Sequence, residues 1–325
     1  MFELDRSPMR ATWGSHLEQF GLAATHPEIR QLMPAAGVAT VSDPIIPGVV
    51  HSHAYRPLYG IGLSNAIFHP RGGFVSFGGR SIWEFGLLKG AKYRDHFRSA
   101  LKRPQKVAGT WTPVRNSSFA HWILEDLPSA LLSFSELNAD GVLIPGDATG
   151  WQLSILNQVG LPSIRVCRTV RVDRLVFIDK QTDYGWPRRD LTDLVVDRVK
   201  SGLKSHDEPE LELFVSNSGG KRANRLTEVL EDRARAMNYV VIRPEEHPWL
   251  DQVGLFASAS RVVAPHGGAL ANLVFCKPGV RVTELMSKQY ANPYFEVLSM
   301  IRGLSYERSW ISESGESTEL SEAFA

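Results

Sequence analysis

The chain carries at residues 261–285 the sequence RVVAPHGGALANLVFCKPGVRVTEL, in which two short apolar runs flank a glycine pair. The runs at 261–264 and 280–285 have the length and the β-branched residues of buried strands. The segment between them is predicted to form a short helix over 268–276. A strand, a helix and a second strand in this order predict a parallel βαβ unit with a right-handed crossover.

The same alternation extends on both sides of this unit. Strands are predicted at 211–215 and 240–242, and helices with one apolar face at 223–237 and 250–259. A last helix is predicted at 293–302. Four short apolar strands separated by helices indicate an α/β fold in which helices cover both faces of a parallel sheet.

The first half of the chain is less regular. Residues 1–45 contain four prolines and are predicted to be a loosely helical lead-in, whereas 46–85 have the short apolar pieces and glycine turns of β-structure. A strongly apolar helix is predicted at 119–137, with a kink at Pro128. The elements predicted after it are strands at 142–144 and 175–178 and helices at 151–159 and 191–203.

The length predicts two domains, because one hydrophobic core seldom serves 325 residues; a single large α/β domain is the alternative. We predict an N-terminal α/β domain over 1–185 and a C-terminal α/β domain over 186–310. The remaining residues, 311–325, include four glutamates and no basic side chain, and are predicted to be a disordered tail.

Composition excludes several classes of protein. Apolar residues make up 43% and charged residues 22%, which is typical of a folded chain and not of a disordered or fibrous one. The net charge of +1 gives no global attraction to nucleic acid or to an anionic membrane. Cys167 and Cys276 belong to no CxxC pair, which argues against a disulfide framework and a thiolate zinc site. With no secretory signal and no apolar run long enough to span a membrane, we expect a cytoplasmic protein.

The loop at 264–272 is the first candidate site, because it joins a strand to a helix at the carboxyl edge of the predicted sheet, where α/β folds bind ligands. Gly267 and Gly268 let the backbone approach a ligand closely. The N–H groups of the following helix favour an anion such as a diphosphate, and His266 and Asn272 add side-chain donors. The alternative is a tight turn that simply needs glycine.

A second loop, at 216–225, also follows a strand. Arg222 and Arg225 stand three residues apart at the start of a predicted helix and share a face. Cations at a helix N-terminus oppose the helix dipole, and this indicates a bound anion. The alternative is a pair of solvated arginines on an exposed turn.

The predicted helix at 119–137 contains a candidate general base. His121 and Glu125 are four residues apart and project from the same face. A buried histidine beside a carboxylate can deprotonate a hydroxyl. The alternative is a half-buried helix whose histidine is merely hydrogen-bonded.

Glu284 ends a predicted strand at the same carboxyl edge as the two loops. A carboxylate there can accept hydrogen bonds from ribose hydroxyls, or it can be an ordinary surface residue. Metal chemistry is disfavoured, because the chain has neither HExxH nor Asp-x-Asp. We expect no metal site and no cofactor.

Together these segments resemble glycosyltransferase family 61, which includes bacterial capsular-polysaccharide-type enzymes and eukaryotic xylosyl- and N-acetylglucosaminyltransferases. The resemblance runs from about residue 55 to residue 310. Its motifs are HWILE at 121–125, the loop from Ser216 to Arg225, the acidic and apolar segment at 244–259, PHGGALANLVF at 265–275 and PGVRVTEL at 278–285. Two positions depart from the family pattern: GGA at 267–269 replaces Gly-Ala-Gly, and Asn217 stands where the family has arginine.

The resemblance implies two Rossmann-like domains that face each other across a cleft, the GT-B-like architecture. It implies inverting transfer from a nucleotide sugar, commonly a UDP-sugar, to a glycan hydroxyl, as in cell-surface polysaccharide synthesis. The C-terminal domain would bind the donor and the N-terminal domain the acceptor, with peripheral association at the inner face of the membrane if the glycan is lipid-linked. The donor would be held by Ser216, Arg222, Arg225, His266, Gly267, Gly268, Ala269, Leu270, Asn272 and Glu284.

An inverting transfer needs a base for the acceptor proton and stabilisation of the leaving diphosphate. The hypothesis makes Glu125 the base, and His121 either shares this role or orients the carboxylate. Arg222, Arg225 and the helix beginning near Gly267 would neutralise the leaving group in place of a metal ion. A non-catalytic nucleotide-sugar-binding protein on the same fold is the alternative, while a hydrolase is disfavoured because no Gly-x-Ser-x-Gly motif is present.

Overall fold

The computed structural model describes residues 28–43, 49–55, 57–70, 74–77, 80–82, 103–115, 117–178, 186–200, 211–217, 225–287, 292–311 and 324. The chain divides into two compact units. The first unit consists of residues 1–35, 56–116 and 129–182, and the second of 36–55, 117–128 and 183–325. The sequence-based boundaries put 36–55 and 117–128 in the N-terminal domain, whereas the structure groups both segments with the C-terminal half.

The helices and strands are given in chain order. The described strands are β1 (Glu28–Met33), β2 (Gly37–Ser42), β3 (Val50–Tyr55), β4 (Leu58–Ser64), β5 (Ile67–His69), β6 (Phe74–Phe77), β7 (Arg80–Ile82), β8 (Gln105–Pro113), β9 (Gly141–Pro145), β10 (Ser163–Val166), β11 (Val170–Ile178), β12 (Leu211–Val215), β13 (Val240–Ile242), β14 (Ala259–Pro265), β15 (Arg281–Met286) and β16 (Ser305–Trp310). The described α-helices are α1 (Phe119–His121), α2 (Leu127–Glu136), α3 (Gly150–Gln158), α4 (Arg189–Lys200), α5 (Arg225–Ala236), α6 (Trp249–Ala257) and α7 (Tyr294–Arg302). A π-helical turn, Trp122–Asp126, joins α1 to α2, and two 3₁₀ segments lie at Pro244–Glu246 and Gly268–Phe275.

The first unit is built on a mixed sheet in the order β10-β9-β8-β11-β5-β6-β7, with β4 also paired to β11 and β1 to β4. The pairs among β8, β9, β10 and β11 are parallel, and the others are antiparallel. β11 lies between β8 and the antiparallel part of the sheet. Its residues Val170, Val172 and Phe177 pack into the core with Leu143 of β9 and Phe68 of β5.

The second unit contains a five-stranded sheet in the order β13-β12-β14-β15-β16, and all of its strand pairs are parallel. Its three central strands, β12, β14 and β15, are largely apolar because they are buried on both faces. Numbered within the sheet, the order is 2-1-3-4-5, one of the common doubly wound arrangements, and it reverses between β12 and β14. The loops that follow these two strands therefore flank the point where such sheets bind ligands.

The sequence predicted the elements of this sheet well. The strands at 211–215, 240–242, 261–264 and 280–285 are confirmed, as are the helices between them, each to within a few residues. The structure adds a fifth strand, β16. It also adds the antiparallel pair β2–β3, whose Ala39, Val41 and Tyr55 pack against Val297 of α7.

In the first half of the chain, the strands at 142–144 and 175–178 and the helices at 151–159 and 191–203 are confirmed, and the region 46–85 contains five strands among its described residues. The loosely helical lead-in is wrong where the structure describes it, because 28–33 and 37–42 are strands; residues 1–27 lie outside the described part. In β2, Ala39 and Val41 are buried while their neighbours are exposed, which is strand periodicity.

Of the predicted tail, residues 312–323 and 325 lie outside the described part of the chain, whereas Phe324 is buried against Phe214 and Tyr239. The α/β class is confirmed.

Candidate functional site

The segment that carries His121 and Glu125 is not a uniform helix. It begins as α1 and widens into the π-helical turn, in which the N–H of Leu127 donates to the carbonyl of Trp122, five residues earlier. Pro128 has no N–H to give to the preceding turn and its ring crowds the carbonyl four residues back. The irregularity predicted at Pro128 is thus found in the turn before it. π-helical turns of this kind are frequent at functional sites.

His121 and Glu125 form a hydrogen-bonded pair. The Nδ1 atom of His121 lies 2.7 Å from Oε1 of Glu125, and the same oxygen accepts a hydrogen bond from the hydroxyl of Tyr294 at 3.2 Å. The Glu125 side chain is 8% exposed and that of His121 is 27% exposed. The histidine is therefore the outward member of the pair.

His266 and Glu284 form a second pair of the same construction. β14 and β15 are in register with Ala264 opposite Glu284, which brings the histidine after β14 next to the carboxylate on β15. Nδ1 of His266 lies 2.5 Å from Oε1 of Glu284, and Oε2 accepts a hydrogen bond from the hydroxyl of Tyr306 at 2.5 Å. Glu284 is completely buried. Since both of its oxygens are engaged by protein, the geometry favours a role through His266 over the predicted contact with ribose.

Two aromatic residues at the start of α7 connect the pairs. The ring of Tyr294 lies 5.5 Å from that of His121, and the ring of Phe295 lies 5.3 Å from that of His266. Tyr294 and Phe295 contact each other edge to face at 5.3 Å. Both histidine–glutamate pairs consequently belong to one packed cluster within the second unit.

The glycine pair lies beside this cluster. Gly267 has φ −175° and ψ 163°, an extended conformation that any residue adopts, so the turn itself does not require glycine. A Cβ atom at Gly268 would lie 3.6 Å from the backbone nitrogen of Ala120, in ordinary contact with the start of α1. The backbone conformation at Gly267 therefore does not support the alternative of a turn that needs glycine. Close approach of the backbone to a ligand stays a prediction.

Other predicted donor-binding residues have structural partners. Asn272 is fully buried: its amide nitrogen donates to Oε1 of Gln252 at 2.9 Å, and its oxygen accepts from Nε1 of Trp249 at 3.2 Å. Leu270 is buried, while Ala269 is half-buried and Gly268 is exposed. For Gly268, Ala269, Leu270 and Asn272, contact with the donor stays a prediction. The exposed Gly268 at the start of the 3₁₀ segment is better placed for such a contact than the buried Asn272.

The second predicted loop is described only in part. Arg222 lies outside the described residues, and Arg225 is the first residue of α5, its side chain not described. Ser216 is buried and donates to Oε1 of Glu231 at 2.6 Å. Two hydrogen bonds from Arg243, with those from Ser216 and Arg235, lower the pKa of Glu231 to about 2.

Sequence reasoning missed Tyr294, Phe295, Tyr306 and Glu231. None of them lies in a recognisable motif, and Tyr306 lies on a strand that the pattern did not predict. Arg308 accompanies Tyr306 on that strand, where it pairs with Glu296 and stands over the Tyr306 ring. The available signals were the positions of Tyr294 and Phe295 near the start of the predicted helix at 293–302 and of Glu231 within the predicted helix at 223–237.

Among the described residues, no three His, Cys, Asp or Glu side chains come together as a group that could hold a metal ion. Within the same residues, none of the helices has the length and apolarity needed to cross a membrane.

Comparison with known proteins identifies the family of this chain. The model of the family Glycosyltransferase 61 matches residues 119–283, just over half of the chain, and the chain belongs to this family. The expected family is thereby confirmed. The matched residues include His121, Glu125 and His266, and they end one residue before Glu284.

A beta-1,2-xylosyltransferase of Arabidopsis thaliana is 30% identical to this chain over 64 residues. These residues make up 20% of this chain and 12% of the plant protein. The similarity therefore covers about one eighth of that relative.

Proposed function

We propose that this protein is an inverting glycosyltransferase that moves a sugar from a nucleotide sugar, a UDP-sugar, to a glycan hydroxyl in the synthesis of a cell-surface polysaccharide. The observation that carries this proposal is the His121–Glu125 pair, 2.7 Å apart, at the start of the family match. The name of the Arabidopsis relative favours xylose as the first sugar to test. Two Rossmann-like domains in a GT-B-like arrangement are part of the proposal and rest on the family resemblance.

The pair supplies the base that the reaction needs. The sequence-based hypothesis made Glu125 the group that takes the proton from the acceptor hydroxyl. In the structure, however, Glu125 is the more buried partner and His121 the more exposed one. A base must come within hydrogen-bond reach of the acceptor hydroxyl. We therefore assign the contact with the acceptor to His121, and the orientation and charge compensation of its ring to Glu125.

The leaving diphosphate is assigned to the loop after β14. His266, Gly267 and Gly268 lie at the carboxyl ends of the parallel strands beside the reversal in strand order, where anions bind in doubly wound sheets. Arg222 and Arg225 remain the proposed cations for its charge, and the proposal includes no metal ion. The acceptor is a glycan, presented at the inner face of the membrane if it is lipid-linked.

A thermal-shift screen tests the proposed donor. Purified protein is heated with UDP, UDP-xylose, UDP-N-acetylglucosamine and GDP-sugars, with and without EDTA. A ligand at 100 times its Kd adds about 2.7 kcal/mol of stability, which raises the Tm measurably. A shift with UDP or a UDP-sugar that survives EDTA supports a metal-independent site. If no nucleotide raises the Tm, the anion-binding loops are misassigned.

Substitution of Glu125 tests catalysis separately from binding. Glu125→Gln removes the carboxylate that compensates the ring of His121, and we expect loss of transfer by about 100-fold or more, with the UDP-induced shift retained. The exposed Glu307→Gln is the matched carboxylate-to-amide control and is expected to keep full transfer. Near-normal transfer by Glu125→Gln would contradict its role. Donor binding without any turnover in the wild type would instead favour a non-catalytic binding protein.

A further inference from the structure

We propose that Tyr294 and Tyr306 are positioning residues of the two histidine–glutamate pairs, each holding one glutamate so that the paired histidine keeps its proton on Nδ1 and turns Nε2 to the substrate. This inference rests on the proposed function, since it specifies how the two histidines are prepared for transfer. Both tyrosines lie beyond residues 119–283, the segment that matches the family.

Each pair combines a histidine, a glutamate and a tyrosine, although the two pairs lie on different elements. In the first, His121 of α1 bonds Glu125 of the π-helical turn, and Tyr294 of α7 donates to Glu125. In the second, His266 follows β14, Glu284 lies on β15, and Tyr306 of β16 donates to Glu284. In both cases one carboxylate joins a histidine Nδ1 to a tyrosine hydroxyl.

The chemistry of the carboxylate fixes the histidine tautomer. An ionised carboxylate only accepts hydrogen bonds, so the Nδ1 atom beside it must carry the proton. In a neutral imidazole, Nε2 then has the lone pair, which can accept a proton or a hydrogen bond from a substrate. The tautomer therefore depends on the carboxylate staying charged and correctly turned.

The tyrosines provide these two conditions. A buried carboxylate needs donors to remain ionised, because burial alone disfavours its charge. Glu284 is completely buried, and Tyr306 engages the oxygen that His266 does not. Burial and the nearby charge of Glu284 raise the pKa of Tyr306, so it remains a phenol that donates.

The first pair is held differently, through a shared oxygen. Tyr294 and His121 both donate to Oε1 of Glu125, and the ring of Tyr294 also packs against the ring of His121. Loss of the Tyr294 hydroxyl removes a hydrogen bond that orients this carboxylate towards Nδ1. Each tyrosine thus controls one histidine and not the other.

Nuclear magnetic resonance of protein labelled with ¹⁵N-histidine tests this directly, because Nδ1–H and Nε2–H tautomers have distinct nitrogen shifts. Signals of His121 and His266 are assigned with His121→Gln and His266→Gln. In the wild type, both are expected as Nδ1–H tautomers. Tyr294→Phe is expected to mix the tautomers of His121 only, and Tyr306→Phe those of His266 only.

Tyr239→Phe is the matched control, since the Tyr239 hydroxyl is buried elsewhere in the same unit and donates to the carbonyl of Phe324. It should leave both histidine signals unchanged. An Nε2–H tautomer at either histidine in the wild type overturns the inference even if a variant fails to fold. Unchanged signals in both Tyr294→Phe and Tyr306→Phe overturn it as well.

Kinetics separate this inference from the proposed function. Release of UDP from UDP-xylose is expected to fall about 10- to 100-fold in kcat for each Tyr→Phe variant, with KM nearly unchanged, because a misdirected ring loses orientation and not donor contacts. If the wild type releases no UDP from any UDP-sugar, the proposed function fails. The histidine tautomers measured by nuclear magnetic resonance still test the positioning role of the two tyrosines. Full activity of both variants would contradict their positioning role.

Discussion

The carboxylate of Glu231 accepts hydrogen bonds from side chains on three parts of the second unit. Ser216 follows β12, Arg235 lies one helical turn after Glu231 on α5, and Arg243 follows β13. The hydrogen bonds of Arg243 are the main reason that the pKa of Glu231 falls to about 2. At the scale of single residues, this carboxylate joins the carboxyl ends of two strands to a helix.

The pH dependence of stability follows from this pKa. The folded value of about 2 lies below the ordinary value of 4.5, so the folded state favours the ionised form. The resulting stability, about 3 kcal/mol, is present above pH 4.5 and is lost as the pH falls towards 2. Glu231→Gln should therefore destabilise the protein at pH 7 and lose most of that effect at pH 2.5, as measured by urea denaturation.

Glu228→Gln provides the control for this prediction. Glu228 lies on the exposed side of the same helix, and its substitution is expected to change the free energy of unfolding by less than about 0.5 kcal/mol. A difference between wild type and Glu231→Gln that is equal at pH 7 and pH 2.5 would show that the carboxylate charge is not responsible.

Single residues of the candidate site differ in how well the sequence predicts them. The His121–Glu125 pair is local, and a spacing of four residues on a helix was enough to bring the two side chains together. His266 and Glu284 were both singled out, but their contact depends on the register of two strands, which no local pattern encodes. Tyr294 and Tyr306 donate to Glu125 and Glu284, which are not their neighbours in sequence. No local pattern could therefore predict these hydrogen bonds.

At the scale of elements, hydrophobic continuity decided which strands were predictable. β12, β14 and β15 are buried on both faces and have apolar runs. β16 has the sequence SYERSW and only partial burial, because it is the edge strand of the sheet and carries Tyr306 and Arg308 towards Glu284 and Glu296. A strand that contributes polar side chains to a site loses the apolar signal that would predict it.

The 3₁₀ segment Gly268–Phe275 depends on a buried polar network. Asn272 bonds Gln252 and Trp249 of α6, and Gln252 donates to the carbonyls of Pro244 and His247. Asn272→Ala leaves two buried polar groups without this partner, and we expect it to destabilise the protein by about 2–4 kcal/mol. Thermal unfolding measures the loss.

The same variant distinguishes a structural Asn272 from the predicted donor-binding one. Below its Tm, Asn272→Ala should bind UDP with an affinity close to that of the wild type. The exposed Asn157→Ala serves as the control for stability and should be nearly neutral. An unchanged Tm together with weakened UDP binding would reverse the assignment in favour of direct contact with the donor.

At the scale of the whole molecule, the chain forms two compact units whose membership no local sequence pattern encodes. Segments 36–55 and 117–128 join the second unit from within the first half of the chain. Their grouping depends on contacts such as that of Val41 with Val297, more than 200 positions away in the chain. Local patterns identify elements, whereas the order of strands and the membership of a unit follow from long-range packing.

The end of the described chain provides a last prediction at this scale. Phe324 lies in the region predicted to be disordered, yet it is buried in the core of the second unit, 5.7 Å from the ring of Phe214 and 5.4 Å from that of Tyr239. Phe324→Ala removes these contacts and is expected to cost about 3–5 kcal/mol, the usual range for a buried phenylalanine. The half-exposed Phe134→Ala is the matched control and should cost much less. Equal unfolding free energies for wild type and Phe324→Ala would mean that Phe324 adds nothing to the core, in agreement with the prediction of a disordered tail.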